Sequence, residues 1–223
     1  MPAPRFEDRI AAGRHLAIEV GRRFGIPSAV AAVSAGGGIV AASLARAFAR
    51  PLVFAYCAPM RVPWDDAAPG EFGAVDADGR VVLDYAALAA NRLSAVEIEA
   101  ARLHGLREVR EFYASGPFVT LEDVGPAPRL LLVDEGMDPG RRMEAAVSFA
   151  RRRRFGRVFV AVPCASRGAA AWFQRDVDGF AALTIDDEGV AAHYEVFPEV
   201  GGDALRACIP RRRRCAGLET ASY

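Results

Sequence analysis

Residues 130–143 read LLLVDEGMDPGRRM, so four apolar side chains run directly into two carboxylates, Asp134 and Glu135, and then into a loop holding Gly136 and Gly140. A strand buried on both faces delivers whatever follows it to the carboxyl edge of a sheet, where ligands of open α/β folds bind. Two adjacent carboxylates accept hydrogen bonds from a pair of vicinal hydroxyls. The glycines let a backbone approach a ligand closely, and the start of the next helix offers unpaired N–H groups to an anion. Vicinal hydroxyls beside a phosphate describe a ribose 5-phosphate, which is the chemistry this spacing suits.

The stretch resembles the phosphoribosyl pyrophosphate (PRPP) motif of type I phosphoribosyltransferases, in which four apolar residues and two acids precede three variable positions, Thr-Gly and a hydroxyl residue. The segments FEDRIAAGRHLA, the loop and helix over 33–42, VFVAVPCAS and AAHYEVFPEV stand in the order found in a bacterial branch of that family. The likeness spans roughly residues 5 to 209. It implies an α/β fold with a mainly parallel central sheet flanked by helices, a long flexible flap at about 57–80 and a small hood at about 186–209 completed by the N-terminus. It also implies transfer of ribose 5-phosphate from PRPP to a nitrogenous base, with magnesium entering on the substrate, and a homodimer.

By that resemblance Asp134 and Glu135 hold the ribose, and Gly136, Met137, Pro139, Gly140, Arg141 and Arg142 hold the 5-phosphate. Ala35, Gly36, Gly37 and Gly38 hold the pyrophosphate, and Arg61 and Arg80 serve from the flap. Asp138 stands where purine-salvage relatives carry an aspartate beside the base, and a carboxylate there can take or relay a proton. Asp before Pro139 equally suits a helix cap, with Asp at the N-cap and Pro at the first helical position.

The chain departs from the pattern at three places. Pro139-Gly140-Arg141-Arg142 replaces Thr-Gly and its small successors, removing a hydroxyl and one backbone donor, although an arginine can pair with phosphate through two N–H groups. Val33-Ser34-Ala35-Gly36-Gly37 replaces a Leu-Pro-Arg-Gly-Gly type turn, so the arginine is missing from the pyrophosphate loop. Tyr56 and Cys57 replace basic residues at the start of the flap, which Asp65, Asp66 and Glu71 make acidic. These losses keep open a second reading, a catalytically impaired protein of the same fold that binds a nucleotide or phosphosugar as a sensor or regulator.

Positioning such a site requires alternating strands and helices, and the hydrophobic pattern supplies them. It predicts helices over 5–23, 39–48, 88–114 and, after a loop over 134–142, to 153. Strands are predicted over 29–33, 52–56, 81–84, 129–133, 158–162 and 180–185, with a glycine turn at 34–38 and a loose tail over 211–223.

The 223 residues carry 28 basic and 28 acidic side chains, and the basic ones are all arginine, so no lysine Schiff base or Walker lysine is available. Cys57, Cys164, Cys208 and Cys215 form no CxxC pair, and His15, His104 and His193 complete no zinc-ligand spacing, so neither a metal site nor a disulfide framework is expected. The arginine runs at 151–154 and 211–214 read as solvated faces, and nucleic-acid binding is not expected at zero net charge. No apolar stretch reaches the roughly 20 residues that span a bilayer. The charged first ten residues lack a secretory signal, so a cytoplasmic location is the expectation.

Overall fold

The computed structural model describes residues 5–61 and 70–209. Helix α1 (Arg9–Phe24) starts at Asp8, whose carboxylate accepts from the Ala11 amide at 2.7 Å, and stops at Gly25, whose φ of 71° only glycine adopts freely. Strand β1 (Ala29–Ala32) then leads into α2 (Ala35–Phe48) and β2 (Leu52–Phe54). An antiparallel unit follows, of β3 (Ala58–Arg61), β4 (Glu71–Val75) and β5 (Val81–Leu83), then helices α3 (Tyr85–Asn91), α4 (Ala95–Ala114) and α5 (Leu121–Val124). The chain returns through β6 (Arg129–Val133), α6 (Arg141–Arg152), β7 (Arg157–Ala165), α7 (Arg167–Asp176) and β8 (Gly179–Ile185). A short 3-10 turn, Val190–His193, and α8 (Gly202–Cys208) complete the described part.

Strands β2-β1-β6-β7-β8 form a five-stranded sheet in that order, every pair parallel. Alternate residues of β1 and β6 face opposite layers. Ala29, Ala31, Leu130 and Leu132 pack with α6 and α7, whereas Val30, Ala32, Leu131 and Val133 pack with α1 and α2. Burial on both faces is why these strands read as unbroken apolar runs. Helices α1 and α2 approach closely at Gly13, where a Cβ would stand 2.7 Å from the Val40 carbonyl oxygen. The direction of strand order reverses between β1 and β6, the kind of switch point outside whose strand ends open α/β sheets bind ligands, and the candidate site lies at the carboxyl ends of these two strands.

Among the described residues of the expected flap, Ala58–Arg61 and Glu71–Val75 are strands rather than loop. Strands β3, β4 and β5 pair in an antiparallel meander that rests on α4, where Gly105 lets Val75 come close. Four arginines of α6 and its end hold this meander: Arg141 pairs with Asp84 at 2.9 Å, Arg142 faces Glu71 at 3.8 Å, Arg152 pairs with Asp76, and Arg153 pairs with Asp78 at 2.7 Å. In the 151–154 run Arg151 and Arg154 are exposed, as a solvated face requires, while Arg151 pairs with Asp176 at 2.9 Å and Arg152 and Arg153 are half-buried against the meander. Asp65, Asp66, Cys215 and the tail over 211–223 lie outside the described residues.

Two further expectations are corrected. The glycine turn at 34–38 is the first turn of α2, capped by Ser34, because close packing that leaves no room for side chains at Gly36, Gly37 and Gly38 outweighs the helix-propensity cost of three glycines. The long helix over 88–114 breaks at Arg92, which has φ 51°, and restarts at Ser94, whose capping box with Glu97 opens α4. Among the described residues no helix is long and apolar enough to cross a membrane.

Candidate functional site

The carboxyl ends of β1 and β6 place Ser34 and Asp134 side by side. The Ser34 hydroxyl donates to Asp134 Oδ1 at 2.5 Å and accepts from the Gly37 amide at 2.9 Å, so one side chain caps α2 and anchors the first acid. The Glu135 amide donates to the same Asp134 oxygen at 2.9 Å. Asp134 is only 3% exposed, which makes it a buried, hydrogen-bonded carboxylate rather than one projecting into solvent.

Glu135 is held from the opposite side. Its carboxylate pairs with Arg9 of α1, and its carbonyl oxygen accepts from the Tyr194 hydroxyl at 2.5 Å. Arg9 also donates to the Pro198 carbonyl at 3.0 Å and lies over the Phe197 ring at 3.9 Å from its centroid. Burial, then the neighbouring Asp134 charge, pushes the Glu135 carboxyl above its ordinary range, while Arg9 and Arg142 pull it back. The glycines of α2 are there because of this pair: a Cβ on Gly36 would land on the Glu135 carboxylate, and one on Gly37 would sit 2.6 Å from Asp134 Oδ1.

The loop after Glu135 is fixed to β7. Met137 donates its amide to the Cys164 carbonyl at 3.0 Å and accepts from the Ser166 amide at 2.9 Å, while Gly136 fits between Val190 and Cys164. Gly140, at φ 93°, is the N-cap of α6 without a side-chain cap. The first bond into the helix is from the Glu144 amide to the Gly140 carbonyl at 3.0 Å, so the amides of Arg141, Arg142 and Met143 point off its end.

The predicted site residues divide accordingly. Asp134, Glu135, Ala35, Gly36 and Gly37 converge at the switch point, and Gly136, Gly140 and Arg142 border it. Burial would lower the Arg142 guanidinium, but the fields of Asp134, Glu71 and Glu135 outweigh it and raise its pKa. Gly38 turns the other way, toward Leu205 and Phe54, and belongs to the core rather than to an anion cradle. Met137 is a buried peg beneath Gly140. Arg141 is committed to Asp84 and Glu144, both at 2.9 Å.

Arg61 ends β3 exposed, within reach of the Glu71 and Tyr56 fields. Arg80 closes the β4–β5 turn beside Asp76, which pairs with Arg152 at the far end of α6, so it does not approach the acids. Asp138 and Pro139 are exposed. Asp138 does not cap α6, because the helix begins two residues beyond Pro139 with Gly140 at its N-cap. It borders a cavity of about 10 Å³, room for one water, shared with Cys164, Ser166, and a His193–Asp186 pair at 3.0 Å.

Sequence reasoning passed over Arg9 and Ser34 as site residues. A signal for Arg9 exists: it occupies the buried stripe of α1 with Ala12, Gly13, Leu16 and Val20, where an arginine has no reason to stand without a buried partner.

No family model and no curated protein matches the chain. Among solved structures it is similar to the TT1426 protein from Thermus thermophilus, at 27% identity and a TM-score of 0.67 over 92% of this chain and 97% of that one. It also matches a hypothetical protein from Neisseria gonorrhoeae with bound ppGpp, at 17% identity and a TM-score of 0.48 over 84% and 86% of the two chains. A third match is the AQ2163 protein from Aquifex aeolicus, at 10% identity and a TM-score of 0.47 over 89% and 84%. The first of these shares the α/β architecture along nearly its whole length.

Proposed function

We propose that the switch-point crevice binds a ribose 5-phosphate group and that the chain is a phosphoribosyltransferase-like protein, passing this group from PRPP to a nitrogenous base. The observation that carries the reading is that Asp134 and Glu135, the glycine-rich first turn of α2 and the uncapped start of α6 all lie at the carboxyl edge of the sheet by its switch point. The ribose hydroxyls would donate to the acids, and the phosphate would take the α6 amides with Arg142 as the nearby cation. Charge developing on the sugar ring during transfer would be stabilised by the same carboxylates. Among the described residues no three His, Cys, Asp or Glu side chains converge to hold a metal, so in this reading magnesium is part of the PRPP complex.

A second reading is binding without turnover, as a sensor or regulator. It is favoured by the pyrophosphate side, where Gly36 and Gly37 pack directly against the Glu135 and Asp134 carboxylates and the loop carries no arginine.

Isothermal titration with PRPP and magnesium, ribose 5-phosphate, AMP and GMP, followed by a pyrophosphate-release screen over nitrogenous bases, separates the two. Base-dependent pyrophosphate release supports transfer. Saturable binding of a nucleotide or ribose 5-phosphate without release supports the second reading, and binding of none of them overturns both.

A further inference from the structure

We propose that Arg9 is the positioning residue of the crevice, holding the Glu135 carboxylate ionised and aimed along the Gly36 face, and that the N-terminal segment thereby forms part of the ligand site. Its use for ribose rests on the functional reading above; its hold on Glu135 does not.

Four observations carry the proposal. Arg9 is 5% exposed, so its charge is stabilised by the protein rather than by water. Its guanidinium divides between the Glu135 carboxylate and the Pro198 carbonyl, which fixes its plane, and the Phe197 ring covers it. The opening segment is built to place it. Phe6 is buried against Tyr194, bridges to it in the backbone, and exchanges bonds with the His193 carbonyl and the Glu195 amide at 2.7 and 2.8 Å. Asp8 caps the helix one residue ahead of Arg9, and Gly13 sets the helix against α2, so Phe6, Asp8 and Gly13 together fix where Arg9 stands. Finally, Gly36 leaves the carboxylate the space it occupies.

The charged and titratable groups facing Glu135 are Asp134 before it, Arg9 from α1, Arg142 from α6, Cys164 from β7 and Tyr194 from the hood. Asp134 and burial oppose its ionisation. Arg9 is the partner in direct contact that favours it. Removing that charge would let the carboxyl protonate closer to neutrality, and a protonated carboxyl offers the vicinal hydroxyls one fewer acceptor.

The test uses full-length protein carrying [¹³C]-carboxyl glutamate, with the Glu135 resonance assigned by its loss in Glu135→Gln. Arg9→Met is expected to raise the Glu135 midpoint by about 1–3 pH units, and Arg9→Lys to restore most of it. Phe197→Leu, which keeps every charge, is expected to raise it less; it serves should Arg9→Met fail to fold by circular dichroism. A midpoint unmoved in all three folded variants overturns the proposal. Ribose 5-phosphate titration forms the second arm. Arg9→Met is expected to bind at least about tenfold more weakly at pH 7 and to recover at pH 9, as a carboxyl with a raised midpoint ionises. Equal weakening at both pH values overturns the role in ribose binding. If wild type binds no ribose 5-phosphate, the functional reading fails, while the carboxyl titration still decides what Arg9 does.

Discussion

The Ser34 hydroxyl reaches Asp134 at 2.5 Å across the point where the strand order of the parallel sheet reverses. One short side chain therefore joins the end of β1, the start of α2 and the end of β6. The contact ties helix capping, a matter of local sequence, to the position of the first acid, which stands a hundred positions later in the chain.

Ser34→Ala removes the donor to a buried carboxylate and the cap of α2 together. A bond to a charged group is worth roughly 1–3 kcal/mol and an N-cap about 1 kcal/mol. The expected loss is about 2–3 kcal/mol in urea unfolding, with the m-value unchanged. A loss below about 0.5 kcal/mol would mean that the clasp contributes nothing to stability.

Much of the core was readable from the sequence, and the reasons differ by element. Strand β6 was legible to the residue because a strand buried on both faces is an apolar run with charged ends, Arg129 and Asp134. The first turn of α2 was misread because glycine signals a turn locally, whereas here Gly36 and Gly37 answer to contacts with Glu135 and Asp134. Of the meander, β5 was read as a strand, whereas β3 and β4 were placed in a loop because their pairing depends on α4 and on the arginines of α6, partners that lie far along the chain. The acid pair was found because its members adjoin in sequence, and Arg9 was missed because it meets Glu135 only in the fold.

Asp84 offers a pH-dependent test of the hold that α6 exerts on the meander. Its carboxylate accepts from the Ala87 and Ala86 amides at 3.0 Å and pairs with Arg141, and the Ala87 bond, then the Arg141 bond, holds it below the usual carboxylate range. A depressed carboxyl stabilises the fold above its unfolded pKa, near about pH 4, and loses that contribution as pH falls through the lower folded value. Asp84→Ala is therefore expected to cost about 1–2 kcal/mol at pH 7, by chemical denaturation, and progressively less below about pH 4. A cost that stays constant down to pH 2.5 would refute the assignment.

Cys164 lines the small cavity beside Asp138, yet burial, followed by the charge of Asp186, pushes its thiol up to about 12. The reactive form is the thiolate, so at pH 8 only a minute fraction is available. Peptide mapping after iodoacetamide treatment of the native protein at pH 8 is expected to find Cys164 and the equally buried Cys57 unlabelled while the half-buried Cys208 is modified. Labelling of Cys164 ahead of Cys208 would point to a reactive cysteine instead.

Alanine at the two adjacent glycines should separate stability from binding. At Gly37 the new Cβ would stand 2.6 Å from Asp134 Oδ1 and 2.9 Å from its Cα, and a backbone atom immediately following a central strand cannot easily step aside. Overpacking of this kind costs about 1–3 kcal/mol, against a helix-propensity gain of up to about 1 kcal/mol, so Gly37→Ala is expected to be net destabilising. At Gly36 the obstacle is the Glu135 carboxylate, the end of a side chain that can rotate away. Gly36→Ala should therefore keep the strand in place and retain the fold by circular dichroism, yet bind ribose 5-phosphate at least about tenfold more weakly, a difference of about 1.4 kcal/mol, because the displaced carboxylate leaves both Arg9 and the site. Wild-type affinity in Gly36→Ala would show that Glu135 has no part in holding the sugar, and the site would then rest on Asp134 and the α6 amides alone.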